Sequence, residues 1–454
     1  MMGKDNRISR RKFLAVSSGV AAGGIAAGAI AGGLAGYLIG ASQAPAAVTR
    51  TVTAPAQTVT TTVTAPERLK VGYIYVGPVG DYGWTFAHDQ GRKYADGLYR
   101  NVDSIYIESV PDPQAPGAIE SLINQGADLI ITTSFGFMDA TAEAAARHRD
   151  KYFVHISGYR SGAAGNAPQN MSSAFAEFYQ LYYLNGLAAG AVTQTGVVGY
   201  VAAFPIPEVV RHINAFVLGA NYAYRRRTGR NIRAYVSWLF SWFDPGKARE
   251  ASVALIEQSN ADVLAFTEDT PATLQVAEEY TTQRGRRVWS FSHYNDMSSY
   301  GPNAHLTGQI VNWGPIYLDF YRMVGTGSWV SVDIWTRIGD YMPFRWTRPP
   351  AQSTATQVDG TLQLGKLSPA IPSEWQAEIR LRYEQMKELL FEPFSPEGNL
   401  GEPIRAQDGE VMIDGQTYVV SKRTGERRSG ARADRDALWE MDWFVEYIES
   451  ELPR

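Results

Sequence analysis

Asp81 and Trp84 stand three residues apart in the run G-P-V-G-D-Y-G-W (77–84), a carboxylate beside a flat ring in a turn whose glycines and proline leave the backbone bare. A helix beginning at Thr85 would aim its unpaired N–H groups and a partial positive charge back over that turn. A ligand resting there would meet backbone donors, an acceptor and an apolar plate. Similar groupings recur downstream: Ser134-Phe135, Ser241-Trp242, Glu268-Asp269 and the stretch from Ser292 to Asp296. The aromatic set Trp84, Phe135, Phe216, Trp242 and Trp313 lies in or just beyond turns, apart from Phe216, which falls inside a helix pattern. Rings supply stacking and carboxylates accept from exocyclic N–H groups, a combination suited to a flat, nitrogen-rich ligand. The plainer alternative at each place is an ordinary βα turn with a solvated acid and a core aromatic.

Several catalytic chemistries have no residues to run on. There is no cysteine, so no thiol nucleophile and no disulfide. The six histidines show neither H-x-x-x-H nor H-E-x-x-H spacing, so no metal ligand set is expected. No G-x-S-x-G elbow or G-x-x-x-x-G-K-[ST] loop occurs. Asp81, Asp139, Asp269 and Asp296 could form an acid/base pair, but single acids at strand ends more often accept hydrogen bonds from a ligand. Only His88 and His293 fall near the turns. No cofactor and no catalytic residue is expected.

The elements that would position these groups alternate as β and α. Apolar runs at 69–76, 104–107, 128–132 and 152–156 read as buried parallel strands, separated by helical patterns at 85–98, 114–125 and 138–149. A long helix is expected over 174–194. The pattern then restarts, with strands at 197–201, 232–238, 262–266 and 287–291 and helices from Glu208 and from Pro245, the latter capped by Asp244. Two successive sets of βα units with turns at corresponding places predict two lobes facing one cleft. Each would be a three-layer α/β/α sandwich with a parallel sheet that binds at its strands' carboxyl ends. The lobes are expected at about 67–192 plus returning segments and about 197–290, with crossings near 192–197, 291–310 and 327–332.

The ends carry other signals. Ser9-Arg10-Arg11-Lys12-Phe13-Leu14 followed by an uncharged Gly/Ala-rich run matches a twin-arginine export address. Residues 1–44 are therefore read as a signal, cleaved after Ala44 or retained as a membrane anchor, and the Thr/Val/Ala/Pro tract 45–66 as an extended stalk. The whole chain carries −4; the first 66 residues hold six basic residues and one acid, which leaves −9 on the rest. An acidic exported domain argues against nucleic acid as partner. After residue 335 a helix (375–390), a hairpin-like segment (410–420), a basic turn (422–428) and a last helix (437–452) form an extension expected to pack on the lobes.

Six ordered stretches carry a resemblance: K-V-G-Y-I-Y-V-G-P-V-G-D-Y-G-W (70–84), T-T-S-F-G-F-M-D-A (132–140), G-Y-V-A-A-F-P-I-P-E-V-V-R-H-I-N-A-F (199–216), S-W-F-D-P-G-K-A-R-E-A (241–251), D-M-S-S-Y-G-P (296–302) and T-G-Q-I-V-N-W-G-P (307–315). Over about 69–335 the chain resembles the BMP (basic membrane protein) family of substrate-binding proteins of ABC transporters, which bind purine nucleosides or bases. The resemblance implies a two-lobed periplasmic-binding-protein-like (type I) fold. It also implies an extracytoplasmic receptor, at the outer membrane face or in the periplasm, that hands a purine to an ABC permease. The residues it points to are Asp81, Trp84, Thr85, Ser134, Phe135, Asp139, Asn214, Phe216, Trp242, Asp269 and Asp296, with Trp313 beside them. Two departures stand out: Tyr294 replaces a frequent acid, and Asn312-Trp313 stand where a lysine is common. Both weaken the usual ribose contacts, so an adenine-like base fits better than a nucleoside. A ligand sensor without transport, or a nucleoside hydrolase using Asp81 and Asp139, are the rival readings.

Overall fold

The computed structural model describes residues 48–54, 57–63, 68–339 and 361–453. The leader reading (1–44) lies outside these residues. The chain forms two compact units, divided after Ala65. In the first, the β-branched Thr/Val tract forms β1 (Val48–Ala54) and β2 (Gln57–Val63), paired antiparallel from Val48↔Val63 to Ala54↔Gln57. Among the described residues, no helix is long and apolar enough to cross a membrane.

The second unit holds both lobes. In lobe 1 an all-parallel six-stranded sheet runs β13 (Asp333–Thr336), β7 (Met171–Ala176), β6 (Tyr152–Ile156), β5 (Leu129–Thr132), β3 (Leu69–Ile74), β4 (Val102–Ile107). The central strands are buried on both faces, which is why β5 reads Leu-Ile-Ile-Thr without alternation. Helices α1 (Trp84–Leu98), α2 (Ala115–Asn124), α3 (Met138–Arg147) and α8 (Gly314–Gly325) accompany this sheet. In lobe 2, β10 (Val263–Phe266), β8 (Val197–Ala202) and β9 (Arg233–Trp238) are parallel. The ladder continues through the Val263–Trp289 bridge to parallel β11 (Ser290–Tyr294) and β12 (His305–Val311), with β14 (Leu362–Leu364) antiparallel at the edge. Helices α5 (Pro207–Thr228), α6 (Pro245–Ser259) and α7 (Ala272–Gln283) belong to this lobe.

Three expectations change. The helix expected over 174–194 begins only at Phe178, because Met171–Ala176 is claimed as a strand by ladders on both sides. That helix, α4 (Phe178–Val192), is buried at every residue and packs against α5 and β12, so it belongs with lobe 2 rather than closing lobe 1. The α4–α5 contact is close: a Cβ on Gly186 would lie 2.1 Å from the Phe216 carbonyl oxygen, and one on Gly219 2.1 Å from that of Tyr183. The chain therefore leaves the lobe 1 sheet at Glu177, returns after Val311 and leaves again after Thr336, not near 192–197, 291–310 and 327–332.

The third change is at the C-terminus, where only Arg435–Trp439 (α10) is helical. Beyond it the backbone pairs in extended form, Ala234 N to Tyr447 O at 2.9 Å and Glu449 N to Ala234 O at 2.8 Å, and edge pairing replaces the expected helix over 437–452. Before this tail come α9 (Ser373–Lys387) and an antiparallel sheet of β15 (Ile404–Arg405), β16 (Val411–Ile413), β17 (Thr417–Ser421) and β18 (Glu426–Ser429). The extension touches both lobes: Arg435 pairs bidentately with Asp333 of lobe 1 at 2.7 Å, and Asn214 of lobe 2 holds Trp443 O and Val445 N at 2.8 and 3.0 Å.

Candidate functional site

The turn after β3 folds around Asp81. Its Oδ1 accepts from the backbone N–H of Gly83 (2.9 Å) and Phe86 (2.9 Å), and Oδ2 from Thr85 N–H (3.0 Å). These are orphan donors at the start of α1, so Asp81 acts as that helix's cap. Burial and the nearby Asp269 push its carboxyl up to about 8, against the backbone donors that favour the charge. Thr85 is likewise turned inward, its Oγ1 accepting from Gly77 N–H at 3.1 Å.

Trp84, the next ring along, is locked. Its indole N–H donates to the Thr133 carbonyl at 2.5 Å. His88 meets it edge-on at 4.3 Å, Trp313 at 5.7 Å, and Tyr294 tilts against it at 5.1 Å. Its backbone N–H crosses to lobe 2 and donates to Asp269 Oδ1 at 3.1 Å. The lobes meet so closely here that a Cβ on Gly83 would lie 2.7 Å from Asp269 Cα; only glycine permits this approach.

Between the lobes lies a cavity that is partly open to solvent. Lobe 1 contributes Val76, Trp84, Ser134, Phe135 and Ser157; lobe 2 contributes Glu208, Trp242, Asp269 and Tyr294. All follow, or end, parallel strands at their carboxyl ends, where open α/β sheets bind ligands. Ser157 and Tyr294 hold φ of 71° and 59°, a conformation non-glycine residues adopt at a cost of about 1–3 kcal/mol and which clusters at binding sites.

Asp269 is buried, and burial drives its carboxyl well above the ordinary range, opposed by the Trp84 N–H. Asn185 donates to Gln309 Oε1 (2.6 Å), which orients Gln309 Nε2 to donate to His293 Nδ1 (2.9 Å). The Tyr182 hydroxyl also meets His293 Nδ1 at 2.8 Å, and the other ring nitrogen, Nε2, lies 3.5 Å from Asp269 Oδ1. Burial lowers His293 to about 3, so it faces Asp269 uncharged. Asp269 Oδ2 has no hydrogen-bond partner among the described residues, and Asp269 lines the cavity.

Of the twelve residues read from the sequence, Trp84, Ser134, Phe135, Trp242 and Asp269 meet at the cavity. The other seven do not line it. Asp81 and Thr85 build the turn. Asp139 is 78 % exposed and pairs with Arg160 at 2.6 Å. Asn214 anchors the C-terminal tail, and Phe216 is core, packed on Tyr200 and Phe291. Asp296 is exposed and accepts from Ser298 N–H at 2.9 Å in a local turn. Trp313 is fully buried behind Trp84, stacked on His88 at 4.7 Å. The hydrolase pair Asp81–Asp139 is therefore not assembled: one acid caps a helix and the other faces solvent.

Val76, Ser157, Glu208 and Tyr294 were missed. Glu208 had a legible signal, an acid opening the expected helix directly after the strand at 197–201. Ser157 follows a strand, and nothing in its type sets it apart; Tyr294 ends one inside the stretch 292–296 already singled out, but was read there only as the replacement of a frequent acid. Among the described residues no group of three or more His, Asp or Glu could hold a metal.

Against known proteins, residues 68–339 match the Bmp family model, described as ABC transporter substrate-binding protein PnrA-like. A purine-binding protein of Brucella abortus (strain 2308) is 32% identical over 396 residues, covering 86% of this chain and 95% of its own length. A protein of Haloferax volcanii named as an ABC transporter glucose-binding protein is 33% identical over 297 residues, 65% of this chain and 71% of its own. Among solved structures, an ABC transporter solute-binding protein from Aeropyrum pernix K1 aligns with a TM-score of 0.59 at 14% identity, over 70% of this chain and 91% of its own. That last likeness carries the periplasmic-binding-protein-like fold.

Proposed function

Because the chain belongs to the Bmp family of PnrA-like ABC transporter substrate-binding proteins, we propose that its inter-lobe cleft captures a purine base, adenine-like rather than a nucleoside, and delivers it to the permease. The observation that carries the reading is the cavity's polar lining. Beside the rings of Trp84 and Trp242 it offers the carboxyl groups of Asp269 and Glu208, with no lysine or arginine among the described residues that line it. Such a wall asks for a flat ligand that brings the N–H donors. The purine assignment draws on the Brucella relative's name.

Closure follows from the same geometry. An open cleft exposes half a site on each lobe, and a ligand with more contacts in the closed state shifts the balance toward it. Residues 1–44 would export the folded domain and hold it at the outer face of the membrane, with 45–66 as spacer and 336–454 bracing the lobes.

Mass spectrometry of small molecules released from the denatured chain, with calorimetric titration of adenine, adenosine, hypoxanthine and glucose, tests the reading. Adenine is expected to bind with the lowest Kd. The Haloferax relative's name supplies the second reading, a sugar, and glucose binding without purine binding would establish it. Turnover of nucleosides would replace binding by hydrolysis. Ligand-dependent signalling with no effect on uptake would favour a sensor.

A further inference from the structure

Glu208 is the one cavity carboxyl with neither a capping role in its own turn nor a place among the residues read from the sequence. It is the second residue of α5, after Pro207, and is 5% exposed. A negative group suits a helix N-terminus. Ser157 of the opposite lobe donates to its Oε2 at 2.5 Å, and the Tyr294 hydroxyl stands 3.4 Å from Oε1, a long contact that leaves acceptor capacity unused.

One helical turn on, Arg211 is completely buried between the rings of Phe175, Trp335 and Trp439, at 5.3, 5.5 and 4.8 Å from its guanidinium carbon. Its Nη1 donates to Leu438 O at 3.1 Å. Burial holds the Glu208 carboxyl above its ordinary range, and the Arg211 charge opposes that rise. A buried cation thus stands one helical turn from the cavity's carboxyl and favours its charged form. Packing alone does not call for such a pair, since a well-packed apolar replacement is often as stable or more so.

Resting on the purine reading, we infer that Glu208 is the specificity-determining acceptor of the cleft, reading the exocyclic amine of an aminopurine and rejecting purines that present a carbonyl oxygen there. In the charged form that Arg211 favours, the carboxylate can only accept. An amine at that edge gives it a donor. A carbonyl oxygen opposes it with a second acceptor, and an unsubstituted edge leaves it unpaired. Buried polar mismatches of this kind discriminate far more strongly than apolar fit does. Asp269, accepting from a ring N–H at another edge, would fix the orientation of the base.

The test is calorimetric titration of the purified full chain and its Glu208→Gln and Glu208→Asp variants with adenine, unsubstituted purine and hypoxanthine, each variant checked by a melting curve. Wild type is expected to bind adenine at least tenfold tighter than the other two. Glu208→Gln, which presents an N–H where one oxygen stood, is expected to weaken adenine at least tenfold and to narrow its lead over hypoxanthine. Glu208→Asp keeps the charge, and is expected to weaken adenine while preserving the order of preference. Should Glu208→Gln fail to fold, the preserved order in Glu208→Asp decides. An unchanged adenine Kd in Glu208→Gln, or equal weakening toward all three bases, overturns the inference and leaves the purine reading standing. A wild-type chain that binds no purine overturns the purine reading, and the role of Glu208 with it.

Discussion

Asp81 and Asp269 stand at corresponding places, each in the loop after a parallel strand of its own lobe, and each is buried. Asp81 spends both oxygens on three backbone N–H groups of its own turn. Asp269 gives one oxygen to Trp84 N–H of the opposite lobe, has no hydrogen-bond partner for the other among the described residues, and lines the cavity. The two tryptophans divide in the same way. Trp84 is 6% exposed and wedged among His88, Trp313 and Tyr294, whereas Trp242 is half-buried against Phe204. Lobe 1 thus uses its acid and its ring largely to build the site floor, and lobe 2 presents its own to whatever lies in the cleft. A helix also starts three residues after Asp269, at Ala272, but there Thr270 Oγ1 accepts the Ala272 N–H at 3.0 Å, which leaves Asp269 out of the capping.

Substitutions in lobe 1 should therefore read out in stability, and those in lobe 2 in affinity. Trp84→Ala is the largest: a buried, hydrogen-bonded indole is removed, and chemical denaturation should record a loss of about 3–5 kcal/mol. Wild-type stability in that variant would break the comparison at its strongest point. Asp81→Ala comes next. It strips the cap from α1 and orphans three N–H groups, which should cost about 2 kcal/mol, seen as a lower denaturation midpoint. If Asp81→Ala instead keeps its stability and loses ligand, the assignment of roles is reversed.

In lobe 2, Trp242→Ala should leave the melting curve nearly in place and weaken purine binding by about 1–3 kcal/mol, the scale of base–aromatic stacking. Asp269→Asn is smaller and sharper. The Asn oxygen still accepts from Trp84 N–H, but an amide N–H replaces Oδ2, and calorimetry should show a Kd raised about tenfold, or ~1.4 kcal/mol. Equal binding would mean that Oδ2 does not face the ligand.

The last effect is a slope, small at any one pH step. Glu268 is fully buried, and burial raises its carboxyl from an ordinary 4.5 to about 8, with Asp269 adding to the rise. The folded state then holds a proton that the unfolded state releases between those values. Its contribution to stability is complete below about 4.5 and is lost as pH rises through about 8. Glu268→Gln should flatten the decline between pH 5 and 8 by up to about 1.4 kcal/mol per pH unit, the weight of one proton. The remaining decline should carry the share of Asp81, also raised to about 8. An unaltered slope would show that Glu268 is charged in the fold.

What local pattern dictates was legible in the chain. Parallel strands buried on both faces read as unbroken apolar runs, as Leu129–Thr132 does, and glycine, proline and small polar residues mark the ends where such sheets bind. That logic located the two lobes, the rim of the cleft, and Trp84, Ser134, Phe135, Trp242 and Asp269 upon it. The same local view failed wherever burial was complete. A helix apolar on every side, Phe178–Val192, shows no face to tell which lobe it joins, and the strand at Met171–Ala176 owes its form to ladders with β6 and β13.

The role of each polar residue was decided only by the tertiary structure, because its partners are distant in sequence. Trp84 N–H finds Asp269 across 185 residues, Ser157 finds Glu208 across 51, and Asn214 finds Val445 across 231. A carboxylate's type and spacing state that it can accept hydrogen bonds. Whether a helix start, an arginine or an open cavity receives that capacity depends on which segments the fold brings within 3 Å. That is why Asp81 and Asp269, alike as letters in the chain, became a cap and a wall of the site.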